Sequence, residues 1–197
     1  MFYFISDTHF GHDNIIKLCQ RPFADVDEMN ETIITNWNKR VTGRDVVCIV
    51  GDMFFRCKNV LPILERLNGK KRLIIGNHDS SWMGDVDMER YFVSVDQILE
   101  IDSDGSRGLV LCHYPLVTWR RESKTYMIHG HIHKDTSEDF FPYLAENERI
   151  LNAGADINGF MPVTFDELVS NNAKHKREFW ASKGGSKNIK GVLPDEA

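Results

Sequence analysis

Five times along the 197-residue chain, an apolar run of strand type ends directly in carboxylate, amide or imidazole side chains. FYFIS leads into Asp7-Thr8-His9, VVCIV into Gly51-Asp52, and RLII into Gly76-Asn77-His78-Asp79. LVLC leads into His113, and TYMIHG into His131-Ile132-His133. In open α/β sheets, ligands collect beyond the carboxyl ends of the strands, so the five segments are expected to converge on one rim. Convergence matters because no single segment carries enough donors for a site. In extended backbone, residues i and i+2 face the same side, so Asp7-x-His9 and His131-x-His133 can each deliver two donors. Gly51, Gly76 and Gly130 are expected to supply the tight or left-handed backbone that lets the chain leave the sheet sharply.

Any one of these segments is an ordinary turn. Five in succession, each at a predicted strand end, point to a metal site. Asp7, His9, Asp52, Asn77, His113, His131 and His133 make seven oxygen and nitrogen donors, too many for one ion and about right for two divalent ions. Mixed imidazole and carboxylate suits Mn, Fe, Zn or Ni, and the lack of sulfur argues against Cu(I) and iron–sulfur chemistry.

The rest of the sequence supplies a scaffold for such a rim. Strands are predicted over 2–6, 46–50, 72–75, 91–95, 109–112, 126–129 and 149–152. Three helices stand out. One follows the acidic start at 25–28, with Val26, Met29, Ile33, Trp37 and Val41 on one face. A second spans about 59–67 and stops at Asn68-Gly69. The third opens with a capping box at Thr164 and Glu167. Strands alternating with helices imply a layered α/β domain with an at least partly parallel sheet, over residues 1–183. Residues 184–197, beginning at Gly184-Gly185, read as a C-terminal tail.

Composition removes whole classes of function. Hydrophobic residues make up 42% and charged ones 27%, an ordinary globular balance that excludes disorder, collagen and coiled coil as descriptions of the whole. The formal charge of −5 disfavours broad nucleic-acid binding, which calls for clustered Lys and Arg. Cys19, Cys48, Cys57 and Cys112 form no C-x-x-C pair, so neither a zinc cluster nor a disulfide framework is expected. The first residues lack the basic and apolar regions of a signal peptide, and no run approaches the length of a membrane span. The chain therefore reads as cytoplasmic, with no membrane partner.

The ordered set Asp7-x-His9, Gly51-Asp52, Gly76-Asn77-His78-Asp79, His113 and Gly130-His131-x-His133 resembles the calcineurin-like metallophosphoesterase superfamily, over residues 1 to about 157. SDTHFGHDNII with Arg21-Pro22-Phe23 is similar to a small microbial and phage-type branch of phosphoesterases. The resemblance implies an α/β, four-layer αββα sandwich of two mixed β-sheets with a dinuclear site on one rim. It places Asp7, His9, Asp52 and His133 on the first metal, and Asp52, Asn77, His113 and His131 on the second, with Asp52 as the bridge. Two such cations activate a hydroxide for in-line attack on phosphorus. His78, outside the ligand set, would by the same resemblance stabilise the phosphoryl group or protonate the leaving oxygen.

This chain also departs from part of that superfamily. The protein Ser/Thr phosphatases carry Gly-Asp-x-x-Asp-Arg-Gly, whose second Asp orients the catalytic histidine. Phe55 stands in that position here, so something else must hold His78, and a phosphoprotein substrate is disfavoured. Arg56 falls where those enzymes grip phosphate, although a surface charge is the simpler reading of it.

Further substrate contacts are expected from His12 and Asn14, which alternatively cap a helix. The loop carrying Arg120, Arg121 and Lys124, with Trp119 and Tyr126, is a candidate for phosphate grip and base stacking. His129 should face away from the metals, and His175 should be solvated. Asn152, Asp156 and Asn158 follow another strand end and could lie near the rim. Trp82, Trp119 and Trp180 are candidates for an interface or a pocket; the oligomeric state is open. The leading expectation is a metal-dependent hydrolase of small phosphodiesters or nucleotides, forming no stable nucleic-acid complex. A non-catalytic interaction scaffold and a nuclease are the alternatives.

Overall fold

The structure is a computed structural model that describes residues 1–101 and 108–184. Of the expected C-terminal tail, residues 185–197 lie outside the described residues.

Four strands, β1 (Phe2–Ile5), β2 (Val46–Ile49), β3 (Lys70–Ile74) and β4 (Phe92–Asp96), pair in parallel in the order β1-β2-β3-β4. The other edge of β1 makes an antiparallel bridge between Phe4 and Val163, so this sheet too has mixed character. A second sheet has the order β5-β6-β7-β8, formed by β5 (Ile98–Ile101), β6 (Gly108–Cys112), β7 (Thr125–His129) and β8 (Ile150–Asn152). Its β5 is antiparallel to β6 and its other pairs are parallel. β5 was not among the predicted strands.

Strands covered on both faces alternate between two cores. Phe4, Cys48, Val50 and Ile74 pack against Leu111, Ile128, Leu151 and Ala153 of the facing sheet. Their neighbours Ile5, Val47, Ile49 and Leu73 point the other way, onto Met29, Ile33 and Trp37 of α2 (Val26–Arg40). On the far side, Val110, Cys112, Met127 and Ile150 meet Phe141 and Leu144 of α6 (Phe141–Glu146) and Phe179 of α7 (Phe165–Ser182). These three cores separate four layers, the αββα sandwich that the resemblance implied. No helix among the described residues is long and apolar enough to cross a membrane.

Helix ends follow local chemistry. Asp25 accepts the Glu28 amide while Glu28 accepts that of Ala24, which fixes the start of α2. The capping box of α7 is complete, with both reciprocal bonds present. The helix expected over 59–67 is reduced to α3 (Leu61–Leu64). Beyond it, Asn38 and the Trp37 indole hydrogen-bond the carbonyls of Arg66 and Asn68, so that backbone pairs with α2 instead of continuing a helix. Short helices α1 (Asp13–Leu18), α4 (Ser80–Met83) and α5 (Met88–Tyr91) complete the connections.

One junction positions the site. Just past β1, the Ser6 amide donates to Ala153 O at 2.8 Å, and the Ala155 amide donates to Ser6 O at 2.9 Å. The chain after β1 is thereby stitched to the chain after β8, and the carboxyl edges of the two sheets meet.

Candidate metal centre

At that shared edge the five strand-end segments come together. Donor atoms of Asp7, His9 and His133 lie within 4.8 Å of one another, as do those of Asp7, Asp52 and His113. Asp52 Oδ2 is 3.8 Å from His9 Nε2 and 3.5 Å from His113 Nε2. Asn77 Oδ1 lies 3.1 Å from His113 Nε2 and 3.0 Å from His131 Nδ1. All seven residues expected as ligands are thus side by side on one rim.

Hydrogen bonds at the back of the rings decide which nitrogen faces the site. His113 Nδ1 meets the Val50 carbonyl at 2.9 Å, and a carbonyl only accepts, so Nδ1 carries a proton and Nε2 is the nitrogen turned toward Asp52 and Asn77, the one that would serve a bound cation. His133 Nδ1 meets Asp156 Oδ2 at 3.0 Å, leaving its Nε2 toward Asp7 at 4.0 Å. The His131 backbone amide donates to both oxygens of Asp7, at 3.0 and 3.1 Å, tying the His-x-His segment to the segment after β1.

The backbone corrects the pleat argument. Asp7, His9, Asp52, His131 and His133 all adopt positive φ, between 50° and 71°. The paired residues therefore converge through left-handed kinks beyond the strands, not through the alternation of an extended segment. Left-handed backbone is costly for a residue with a side chain and persists where the surroundings enforce it, commonly at functional sites. Of the three glycines, Gly51 does take positive φ (87°). Gly76 and Gly130 do not, and are needed for space instead: a Cβ at Gly76 would fall on Asp52 Oδ1, and one at Gly130 on Ser6 Oγ.

The electrostatics of this cluster are those of a cation site. Burial pushes the fully enclosed Asp7 carboxyl upward. At Asp52 burial acts in the same upward direction, but the His113 imidazole, the His78 amide and His9 together outweigh it and hold the carboxyl down at about 2. Burial opposes charge on His113 too, yet Asp52 and Asp7 bring the ring up to about 9. Burial pushes His9 down to about 2, and both of its ring nitrogens are enclosed with no hydrogen-bond partner. An imidazole sealed from water with neither nitrogen satisfied is costly, unless a further group takes the lone pair. The residues present therefore fit a metal ion.

His78 and Asp79 separate into different roles. The His78 amide donates to Asp52 Oδ1 at 2.9 Å, and its ring Nε2 stands 3.9 Å from Asp52 Oδ2. The ring packs on Phe55, with centroids 4.2 Å apart, and Phe55 in turn contacts His12 at 4.5 Å. An aromatic face thus borders His78 where the phosphatase pattern would place a carboxylate. Asp79 is fully buried and turned away, accepting the amides of Asp52, Met53 and Gly76 and the Trp82 indole N–H.

Of the expected substrate contacts, His12 lies beside the site, 5.3 Å from the His9 ring and nearly buried, with Nδ1 unpartnered. Asn14 is exposed in the first turn of α1, and Arg56 is exposed with its guanidinium over the Phe55 ring at 5.2 Å. Arg120 and Arg121 are not brought to the rim. They directly precede β7, which runs parallel to β6, so they sit at the edge opposite His113 and His131. Arg120 pairs there with Glu100 at 2.9 Å. Trp119 and Tyr126, expected to stack on a base, belong to the core, and the Trp119 indole donates to Thr125. Trp82 is likewise buried and available to no interface.

His129 is buried in β7, its Nδ1 on the Gly130 carbonyl at 2.8 Å. His175 is not solvated: it is half-buried against Phe141, with ring centroids 5.7 Å apart. Asn152 and Asn158 hold the rim backbone through bonds to His133 O and Gly154 O. Arg21 enters the sequence reading only as part of the Arg21-Pro22-Phe23 motif, without a role; its guanidinium is buried behind the site in a bidentate pair with Asp156. No local pattern announces the pairing, since its partner lies 135 positions away. A cavity of about 700 Å³ opens beside His131 and His133, walled by Leu18, Cys19, Gln20 and residues 132–140 other than Asp139.

The model of the calcineurin-like phosphoesterase family matches residues 1–189. The chain belongs to that family. It is 35% identical over 170 residues to an uncharacterized protein of Methanocaldococcus jannaschii, covering 85% of this chain and 88% of that one. The Gene 66 proteins of two Mycobacterium phages are each 29% identical over 66% of this chain, and over 76% and 77% of their own lengths. Among solved structures, a protein of unknown function from Aquifex aeolicus aligns with a TM-score of 0.64 at 30% identity, covering 83% of this chain and 94% of that one. Membership in the phosphoesterase family agrees with a rim of His and Asp donors at the carboxyl edge of two facing sheets.

Proposed function

We propose that the protein is a dinuclear-metal-dependent phosphoester hydrolase acting on small phosphodiesters or nucleotides. The observation that carries this reading is the position of Asp52 Oδ2, between His9 Nε2 at 3.8 Å and His113 Nε2 at 3.5 Å. One carboxylate oxygen flanked by imidazoles of two donor groups is what a bridging ligand requires. Asp7, His9, Asp52 and His133 would hold one ion, and Asp52, Asn77, His113 and His131 the other. Manganese is the metal proposed, with iron, zinc and nickel compatible with the same donors. The pair of ions would supply Lewis-acid charge to a phosphoryl oxygen and lower the pKa of a shared water.

The chain's own residues do the rest. The bonds at Nδ1 of His113 and His133 turn their Nε2 atoms inward, where they would give lone pairs to the ions. His78, with its side chain about one-third exposed at the rim, is placed to hold a proton at Nε2 for the leaving oxygen. His12 and Phe55 border it, and Arg56 adds positive charge close by. The four cysteines are free, two of them buried, which supports assignment to a reducing compartment and hence the cytoplasm.

Mn-loaded protein assayed on bis-p-nitrophenyl phosphate, p-nitrophenyl phosphate and single-stranded DNA tests the reading. Turnover of the first, with two metal ions bound per chain, is the expected result. Hydrolysis of the DNA alone would make the protein a nuclease. Bound metal with no turnover on any phosphoester would make it a scaffold.

A further inference from the structure

Behind His133 lies a buried charge pair that the ligand set does not use. Asp156 Oδ1 accepts Arg21 Nε at 3.0 Å, and Asp156 Oδ2 accepts Arg21 Nη2 at 2.9 Å together with His133 Nδ1 at 3.0 Å. The remaining Arg21 donors reach the carbonyls of Asp7 at 2.7 Å and Thr8 at 2.9 Å. Both charged side chains are sealed from solvent, at 0% exposure for Arg21 and 1% for Asp156. A planar guanidinium is suited to this task because its fork grips a carboxylate with two parallel bonds while its other edge reaches backbone oxygens. A buried pair of this kind is weak evidence for stability by itself, which leaves its purpose open to its geometry. That geometry joins the two segments supplying the first ion: the backbone around Asp7 and the ring of His133.

We infer that Arg21 and Asp156 are positioning residues that fix the tautomer and orientation of His133 and lock it to the Asp7 segment, setting the affinity of one of the two metal sites. The inference rests on the dinuclear reading above. Asp156 accepts the Nδ1 proton of His133, so Nε2 is left as the lone-pair donor. Loss of a hydrogen-bonded carboxylate behind a metal-binding histidine costs roughly 10–100-fold in metal affinity. The neighbouring Cys19 thiol is the rival partner, since a Cys19 donor atom also lies within 4.8 Å of those of His133 and Asp156.

Full-length protein stripped with a chelator and titrated calorimetrically with Mn(II), with Co(II) absorption in parallel, tests the inference. Wild type should bind two ions. Asp156→Asn places an amide N–H against a donor whichever way it is turned, because both oxygens face only N–H groups. It should weaken one site by about 10–100-fold and leave the other within a few-fold, with an altered Co(II) spectrum for the weakened site. Asp156→Glu should recover part of the loss, and Cys19→Ser should change neither site. Two wild-type sites with no change in Asp156→Asn would overturn the inference alone. So would equal weakening of both sites with no recovery in Asp156→Glu, the mark of a merely structural pair, or a Cys19→Ser loss matching that of Asp156→Asn. A wild type that binds no Mn(II) would overturn the dinuclear reading and this inference with it.

Discussion

The carboxylate of Asp79 accepts the backbone amide of Asp52 at 2.9 Å, across 27 positions of sequence. The same side chain takes the amides of Met53 and Gly76 and the Trp82 indole, so four donors from three segments end on one buried carboxylate. It therefore fixes the left-handed turn that aims Asp52 into the site. Asp79→Asn leaves two of those donors facing an amide N–H₂. It should destabilise the fold by about 3 kcal/mol, by loss of buried hydrogen bonds to a charged group. Urea denaturation reads this directly, and a change under 0.5 kcal/mol would show that the turn holds itself.

His78→Ala should leave the metal content at two ions per chain and lower turnover by roughly 10²–10⁴-fold, the range for a general acid. Loss of metal in proportion to activity would instead make His78 part of the ligand set. The ring's contact with Phe55, at 4.2 Å, adds a graded test. Phe55→Leu should keep most turnover and Phe55→Ala less, again with metal content unchanged. Equal activity in the two variants would show that Phe55 does not orient the ring.

A pH prediction comes from α7, away from the metal centre. Burial pushes the Lys176 ammonium down to about 7, where its Nζ reaches the carbonyls of Ile150 and Asn147. Unfolded, the group keeps its proton to about pH 10.4. Between the two values the unfolded chain binds more protons, so this group makes stability rise with pH, by at most about 1.4 kcal/mol per unit. Lys71, lowered to about 8 by burial, acts with the same sign. Cys48, raised to about 12 by burial, acts oppositely but only above its unfolded value near 9. Comparison of wild type with Lys176→Met at pH 7.5 and 9.0 should thus show wild type gaining roughly 2 kcal/mol on the variant. An unchanged difference would mean that Lys176 stays protonated in the fold.

The candidate site was legible because its signal is local: each expected donor follows its strand within four residues, and parallel pairing brings such ends to one edge. The same locality limited the reading. β5 escaped because Ile98–Ile101 follows β4 after a single residue and has no turn signal before it. The Arg120 loop was misplaced because the sequence gives no direction to a connection, whereas a parallel β6–β7 pair forces it to the far edge. His175 was misread from its charged neighbours, although one helix face can be polar while the next packs on Phe141. The left-handed kinks at Asp7, His9, Asp52, His131 and His133 were beyond reach, since Asp and His take positive φ more often than most residues but still only occasionally. They are imposed by tertiary bonds such as those of Asp79 and Arg21.

Metal removal should be visible in stability as well as activity. The two enclosed nitrogens of His9 and the fully buried Asp7 beside Asp52 make the rim a poorly satisfied cluster on its own. A ligand that binds only the folded state at 100 times its Kd stabilises by about 2.7 kcal/mol. For a chain of this size that corresponds to a rise in Tm of roughly 5–10 °C. Mn(II) added to chelator-treated protein should produce a shift of this order, measured by calorimetry or near-UV circular dichroism. His9→Ala removes a donor together with its unsatisfied nitrogens. Its metal-free Tm should fall little relative to its loss of core packing, while most of the Mn(II)-induced rise disappears. A full rise in His9→Ala would remove His9 from the ligand set and return its two enclosed nitrogens to an unexplained cost of the fold.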